Sequence, residues 1–286
     1  MEPLDQYLKR RKKENGYLFI PYIALGDPDW ELSEKFVDLF IKCGADTIEL
    51  GLPFTDPAAD GPVLQRAFQR VLSRSFKMEE LFLFLTRLKK KYPDYPFLIM
   101  GYANLFYHAG FETIFKKLIQ GNVAGVIIPD VPYEEKRKII KENRLEHIMK
   151  QIAWVDFITP TTTLDRLDAI CSDAGGFLYF VSTKGVTGQQ STFSLASSKT
   201  IIKEVRKRTA VPLMIGFGVR NRENAKESVK YGDGFIVGSR FHEIIEQNME
   251  MGLDTFTMQS AVSSEKVISS VKTFLDELLP EKKLAV

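Results

Sequence analysis

The sequence predicts an α/β chain folded as a closed parallel (β/α)8 barrel, with one extra helix before it and one after. Three observations carry that expectation. Eight short apolar runs alternate with eight helical regions along the 286 residues, the rhythm of strands joined by crossover helices. That length suits one barrel of ~250 residues with additions. Polar residues and glycines collect just after the apolar runs, where barrels of this kind place their sites. An open doubly wound sheet is the alternative. It would be favoured by a glycine fingerprint after the first strand, and none is there.

An N-terminal helix over residues 3–13 opens the chain and is placed to close the barrel bottom. The barrel itself is expected over 17–248. Strands are expected at Leu18–Leu25, Thr47–Leu50, Phe97–Gly101, Gly125–Ile128, Val155–Ile158, Phe177–Val181, Leu213–Gly216 and Gly234–Val237. Each is a short run of mostly apolar residues, as a strand buried on both faces should be. Helices fall between them: Leu32–Lys42, Val63–Ser73 with Met78–Lys90, Phe111–Ile119, Tyr133–Glu142, Leu164–Ser172, Ser197–Arg208, Arg222–Tyr231 and Phe241–Gln247. A C-terminal helix over 262–279 carries Val267, Ile268, Val271, Phe274, Leu275 and Leu278 at helical spacing, a stripe suited to the barrel's outside. No Pro-, Gly- or Ser-rich linker interrupts the pattern, so residues 1–286 read as a single domain.

The chain has 39 basic and 37 acidic residues, a formal net charge of +2, which gives no support for a nucleic-acid partner. The basic runs Lys9–Lys13 and Lys89–Lys91 read as solvated faces or as charges complementing helix C-termini. Cys43 and Cys171 lie outside any CxxC pattern and read as buried thiols of a reducing compartment. The N-terminus lacks the apolar core of a signal peptide, and no apolar run is long enough to span a bilayer. A soluble cytoplasmic protein is expected.

The most informative stretch is Ile48–Pro62. It puts a carboxylate, Glu49, inside an apolar run, then breaks the chain with glycine and prolines and adds Asp56 and Asp60 on the loop. A buried acid is costly to ionise, so its pKa rises toward neutrality. A second acid in a wetter place can stay ionised, a recurring division of acid and base roles. Asp60 alone reads equally as a turn residue or as the cap of the helix near Val63. Tyr102 and Asn104 follow the third strand, Asp130 follows the fourth, and Tyr179 lies within the sixth. Singly these are core aromatics or turn residues; their convergence on one rim is what points to a site. Glycines give the second signal: Gly185–Gly188, Gly216–Gly218 and Gly238–Ser239 follow the last three strands. There, backbone N–H groups and a helix N-terminus can cradle a phosphate. The polar loop Ser182–Ser194 is either a surface loop or a lid that excludes water. His108, His147 and His242 form no metal-spaced pair, and no strand-borne lysine suggests a Schiff base. No metal is expected. The residues alone reach a phosphorylated small molecule handled by carboxylate acid/base chemistry.

Taken in order, Pro21–Pro28, Glu49–Pro57, Ala59–Gln65, Met100–Asn104, Pro129–Pro132, Gly185–Gly188, Gly216–Gly218 and Gly238–Ser239 resemble the tryptophan synthase α subunit family. The resemblance runs from about Tyr17 to Ile245. It implies a TIM barrel that cleaves indole-3-glycerol phosphate, by a retro-aldol reaction, to indole and glyceraldehyde 3-phosphate. It implies that Glu49 is the acid/base that protonates the indole C3 and assists deprotonation of the glycerol hydroxyl. Asp60 would stabilise positive charge on the indole nitrogen. Tyr22, Met100, Tyr102 and Ile127 would wall the indole pocket, with Tyr179 and Thr187 also lining the site. Gly188, Gly218, Gly238 and Ser239 would hold the phosphate. The family docks on a β subunit in an α2β2 assembly and passes indole to it. The matching interface positions are Pro53, Asp56, Asn104, Asp130 and Pro132. No cofactor is implied on this chain, since pyridoxal phosphate belongs to the β partner. A free-standing indole-releasing lyase and a catalytically weak allosteric activator of the β subunit stay as alternatives. Three departures stand out: the lid reads Ser182-Thr-Lys rather than Ser-Arg, position 22 is Tyr where Phe is common, and residues after Asn248 match poorly.

Overall fold

The computed structural model describes residues 2–181, 195–216, 218–249 and 264–279. Nine parallel strands form one sheet: β1 Leu18–Ala24, β2 Ile48–Gly51, β3 Phe97–Met100, β4 Val123–Ile127, β5 Ala153–Trp154, β6 Asp156–Ile158, β7 Leu178–Val181, β8 Leu213–Gly216 and β9 Gly234–Val237. The order β5-β4-β3-β2-β1-β9-β8-β7-β6 begins and ends on consecutive strands. The expected fifth strand, Val155–Ile158, is thus one stave in two parts. Its first half pairs with β4 and its second with β7. Val155 joins them, its N–H donating to the Val126 carbonyl at 2.9 Å. Ala153, Val155 and Phe157 all pack in the inner cluster while Trp154 and Ile158 pack in outer ones, so the two-residue alternation runs through the joint. Eight staves close the barrel.

The helices are α1 Leu4–Asn15, α2 Trp30–Lys42, α3 Pro62–Leu72, α4 Met78–Lys91, α5 Ala103–Ala109, α6 Phe111–Gln120, α7 Tyr133–Glu142, α8 Leu164–Asp173, α9 Lys199–Arg208, α10 Arg222–Tyr231, α11 Ser239–Gln247 and α12 Ser264–Leu278. Local signals fix their ends. Asp29 accepts from Leu32 N–H at 2.7 Å to start α2, Asn221 accepts from Asn224 N–H at 2.9 Å to start α10, and Gly16, at φ 85°, stops α1. The seven-residue helix α5 was not expected, since it is too short for a periodic signal. Asp130, on the next rim loop, accepts from its Ala103 N–H at 3.0 and 3.2 Å.

Leu4 and Leu8 of α1 sit in the inner cluster with Leu18, Leu98, Phe177 and Met214. The first helix therefore plugs the barrel bottom, as expected. Two buried aspartates fasten it there. Asp46 accepts from Arg11, Asn15 and the Phe19 N–H, and Asp233 pairs with Lys12 and Arg206 while accepting from Leu213 N–H. Arg11 is thus not a merely solvated charge, whereas Lys12, in the last turn of α1, is one of the charges expected to complement a helix C-terminus. Leu8 is 0% exposed. Leu8→Ala is expected to cost about 2–5 kcal/mol of unfolding free energy in urea denaturation, the range for a leucine cavity. The other terminal helix, α12, lays Val267, Val271, Leu275 and Leu278 against the outer layer, in contact with α2, α10 and α11. Cys171 is buried as expected, whereas Cys43 is only half-buried because it ends α2 near the surface. Among the described residues no helix is long and apolar enough to cross a membrane.

Candidate active site

Strand alternation decides which side chains reach the barrel interior. Ile48 and Leu50 face the helices, so Glu49 and Gly51 face inward. Glu49 lies in register with Tyr22 on one side and Leu98 on the other. It is 1% exposed, and its Oε2 has no hydrogen-bond partner among the described residues. Burial, reinforced by the nearby charge of Asp60, pushes its carboxyl up to about 8.

Asp60 stands on the loop after β2. It does not cap α3: Gly61 is the N-cap and Pro62 supplies the first helical residue. Its side chain instead turns inward and accepts from the Tyr102 hydroxyl at 2.6 Å. Burial pushes it up to about 6, with the Tyr102 hydrogen bond pulling the other way. Both carboxyls are thus raised by burial, Glu49 further than Asp60.

An aromatic wall joins them. Tyr22, Leu64, Phe68 and Tyr102 form one buried cluster, with Phe54 and Met100 packed against it. Phe54 stacks on Tyr102 at 5.0 Å between centroids and 17° between planes. Ile127 is buried deeper, among the inner residues around Tyr179 and Met214. Tyr179 points inward from β7, its ring 5.1 Å from that of Phe157. Sequence reasoning missed Phe54, Leu64 and Phe157. The first two lie inside the quoted rim segments, where their apolar character was the available signal.

Gly216 was grouped with the phosphate turn, but it is the last residue of β8 and faces Tyr179. A Cβ there would lie 2.0 Å from Tyr179 Cε1, so this glycine makes room for a ring. Gly218 has φ 88°, a left-handed backbone suited to glycine. Gly238 is the N-cap of α11 and Ser239 its first residue, which puts a helix start at the rim. Thr187, Gly188 and the whole of the segment 182–194, including the altered Ser182-Thr-Lys, lie outside the described residues.

A buried network ties the two helices that open at this rim. Asp27, just after β1, accepts from Arg70 of α3 at 2.7 and 2.8 Å and lies 2.7 Å from His242 Nδ1 of α11. His242 Nε2 accepts from the Ala24 N–H at 3.0 Å, so the ring's proton belongs on Nδ1, pointing at Asp27. The helix after Asp60 and the helix after Gly238 are thereby held to the same carboxylate. Sequence reading had excluded His242 as a metal ligand without finding this use. Of the expected interface residues, Asp56, Asn104, Asp130 and Pro132 are exposed on the loops and short helix after β2, β3 and β4, while Pro53 is covered by its own chain.

A family model described as tryptophan synthase alpha chain matches residues 8–271. The tryptophan synthase alpha chain of Leptospira borgpetersenii serovar Hardjo-bovis (strain JB197) is 38% identical over 231 residues, 81% of this chain and 86% of its own. That of Hydrogenovibrio crunogenus is 34% identical over 265 residues, 93% of this chain and 95% of its own. Among solved structures, tryptophan synthase subunit alpha from Campylobacter jejuni superposes with a TM-score of 0.75 at 27% identity, covering 95% of this chain and 98% of that one. A chain from the tryptophan synthase a2b2 complex of Pyrococcus furiosus gives 0.76 at 28% identity, covering 93% and 98%.

Proposed function

The chain belongs to the tryptophan synthase alpha chain family, and on that premise we propose how its residues divide the work. The family reaction is the cleavage of indole-3-glycerol phosphate to indole and glyceraldehyde 3-phosphate. Glu49 starts protonated and gives its proton to the ring carbon C3 that bears the glycerol chain. Positive charge then develops on the ring nitrogen, and ionised Asp60 faces it. The Glu49 carboxylate next removes the proton from the carbinol oxygen. The O–H pair becomes the second carbon–oxygen bond, the C3–carbon bond breaks, and its electrons return to the ring. Glu49 ends as it began. The observation that carries this reading is the pair of buried carboxyls pushed apart, to about 8 and about 6.

Tyr22, Met100, Tyr102 and Ile127 wall the indole ring, with Tyr179 and Thr187 further along the site. Gly188, Gly218, Gly238 and Ser239 receive the phosphate, supported by the positive φ of Gly218 and the helix start at Ser239. The chain carries no cofactor of its own; pyridoxal phosphate belongs to the β subunit. The β subunit docks on the rim after β2, β3 and β4 through Asp56, Asn104, Asp130 and Pro132, with Pro53 shaping the loop from beneath. Asp130 links two of these segments through its bond to Ala103. Neither cysteine is in a disulfide, which supports a reducing, cytoplasmic setting.

The test is indole release from indole-3-glycerol phosphate by the purified chain, with and without a tryptophan synthase β subunit. Slow release that rises when the β subunit is added is expected. Absence of release from folded protein in both conditions would overturn the reading. Fast release unaffected by the β subunit would overturn the partner assignment alone.

A further inference from the structure

The aromatic wall of this site holds a polar atom that none of the described residues takes up. Among the described residues, the Tyr22 hydroxyl and Glu49 Oε2 are both buried without a hydrogen-bond partner. Their residues are 3% and 1% exposed and stand side by side on β1 and β2. Two glycines fix where the tyrosine ring runs. A Cβ on Gly238 would lie 2.8 Å from Tyr22 Cδ1, and a Cβ on Gly51 would lie 2.1 Å from the hydroxyl oxygen. The ring therefore spans from the start of α11, where the phosphate is received, to β2, and its hydroxyl ends beside the next inward position above Glu49. A phenylalanine would build the same apolar wall. The hydroxyl adds only an unpaired buried donor, which is destabilising unless something else takes it up.

We propose that the Tyr22 hydroxyl is a further catalytic group: it donates a hydrogen bond to the carbinol oxygen that Glu49 deprotonates. This rests on the assignment of Glu49 as the acid/base. As the proton leaves, charge builds on that oxygen until the carbon–oxygen double bond forms, and a fixed donor at that point favours the transition state. Tyr22 keeps its own proton throughout, so the step needs no co-reactant. Burial, with the charges of Asp60 and Glu49 nearby, holds the phenol far above its ordinary range, which suits a donor that does not ionise.

The experiment is Tyr22→Phe, assayed for indole release beside wild type and Glu49→Gln. Binding of indole-3-propanol phosphate, which keeps ring and phosphate but lacks the chain hydroxyls, is measured on the same proteins. The proposal expects kcat to fall about tenfold or more, with KM for indole-3-glycerol phosphate within about twofold. Affinity for the deoxy analogue should be unchanged and the thermal midpoint unchanged or higher. Wild-type kcat in Tyr22→Phe would overturn it. So would an equal loss of affinity for the deoxy analogue, because that result locates the effect in the ring. Turnover retained by Glu49→Gln would instead defeat the acid/base assignment beneath it, so the two failures are told apart.

Discussion

Glu49→Gln is expected to lower kcat for indole release by about 10³- to 10⁴-fold and, in the same protein, to raise stability at alkaline pH. The first effect follows from the two proton transfers assigned to one carboxyl, at the upper range for a general acid/base. The second follows from linkage. The Glu49 pKa is raised on folding, from 4.5 to about 8. Between those values the folded state holds a proton that the unfolded state releases, so stability falls as pH rises through that window and the cost is complete above pH ~8. Glutamine has no charge to desolvate. The variant should match wild type near pH 4 and exceed it at pH 9 by a few kcal/mol in urea denaturation. A variant that loses activity without gaining alkaline stability would show that Glu49 is not held protonated by burial.

Asp60→Asn carries the second large effect. The amide preserves an acceptor for the Tyr102 hydroxyl, 2.6 Å away in the native protein, but removes the charge facing the ring nitrogen. A loss of about 10²- to 10³-fold in kcat is expected, the scale for deleting one electrostatic partner of a transition state. The two acids are coupled, since the charge of Asp60 helps raise Glu49. Asn at position 60 should therefore also lower the Glu49 pKa, moving the alkaline limb of the rate profile toward neutral pH. Rate loss with an unmoved limb would separate Asp60 from Glu49.

The sequence revealed these two groups unequally, for physical reasons. Glu49 is conspicuous because a charge inside an apolar strand has few bland explanations. Asp60 was ambiguous because Asp-Gly-Pro is also what a helix start looks like. Only the Tyr102 hydroxyl, 42 positions away, turns it into the site. Strand positions were legible from apolar runs, with boundaries shifted by a residue or two. The division of the fifth stave was not, because it depends on which neighbour each half bonds. Gly216 looked like a phosphate turn, whereas the Tyr179 ring explains it. The Asp27–His242 contact joins residues 215 positions apart, and no local pattern marks either as the other's partner. Asp130 looked like a turn residue after its strand, and its bond to Ala103 appears only once two rim loops meet. In each case the missing information was the identity of a partner distant in sequence.

The central claim is that catalysis needs Glu49 protonated and Asp60 ionised at the same time. Its most direct test is kcat/KM for indole release from indole-3-glycerol phosphate between pH 5 and 10, a quantity that reports the free enzyme. The account predicts a bell. Activity rises as Asp60 ionises near pH 6 and falls as Glu49 loses its proton near pH 8, and the acid limb disappears in Asp60→Asn. A profile that keeps rising beyond pH 9, or an acid limb that persists in Asp60→Asn, would contradict it.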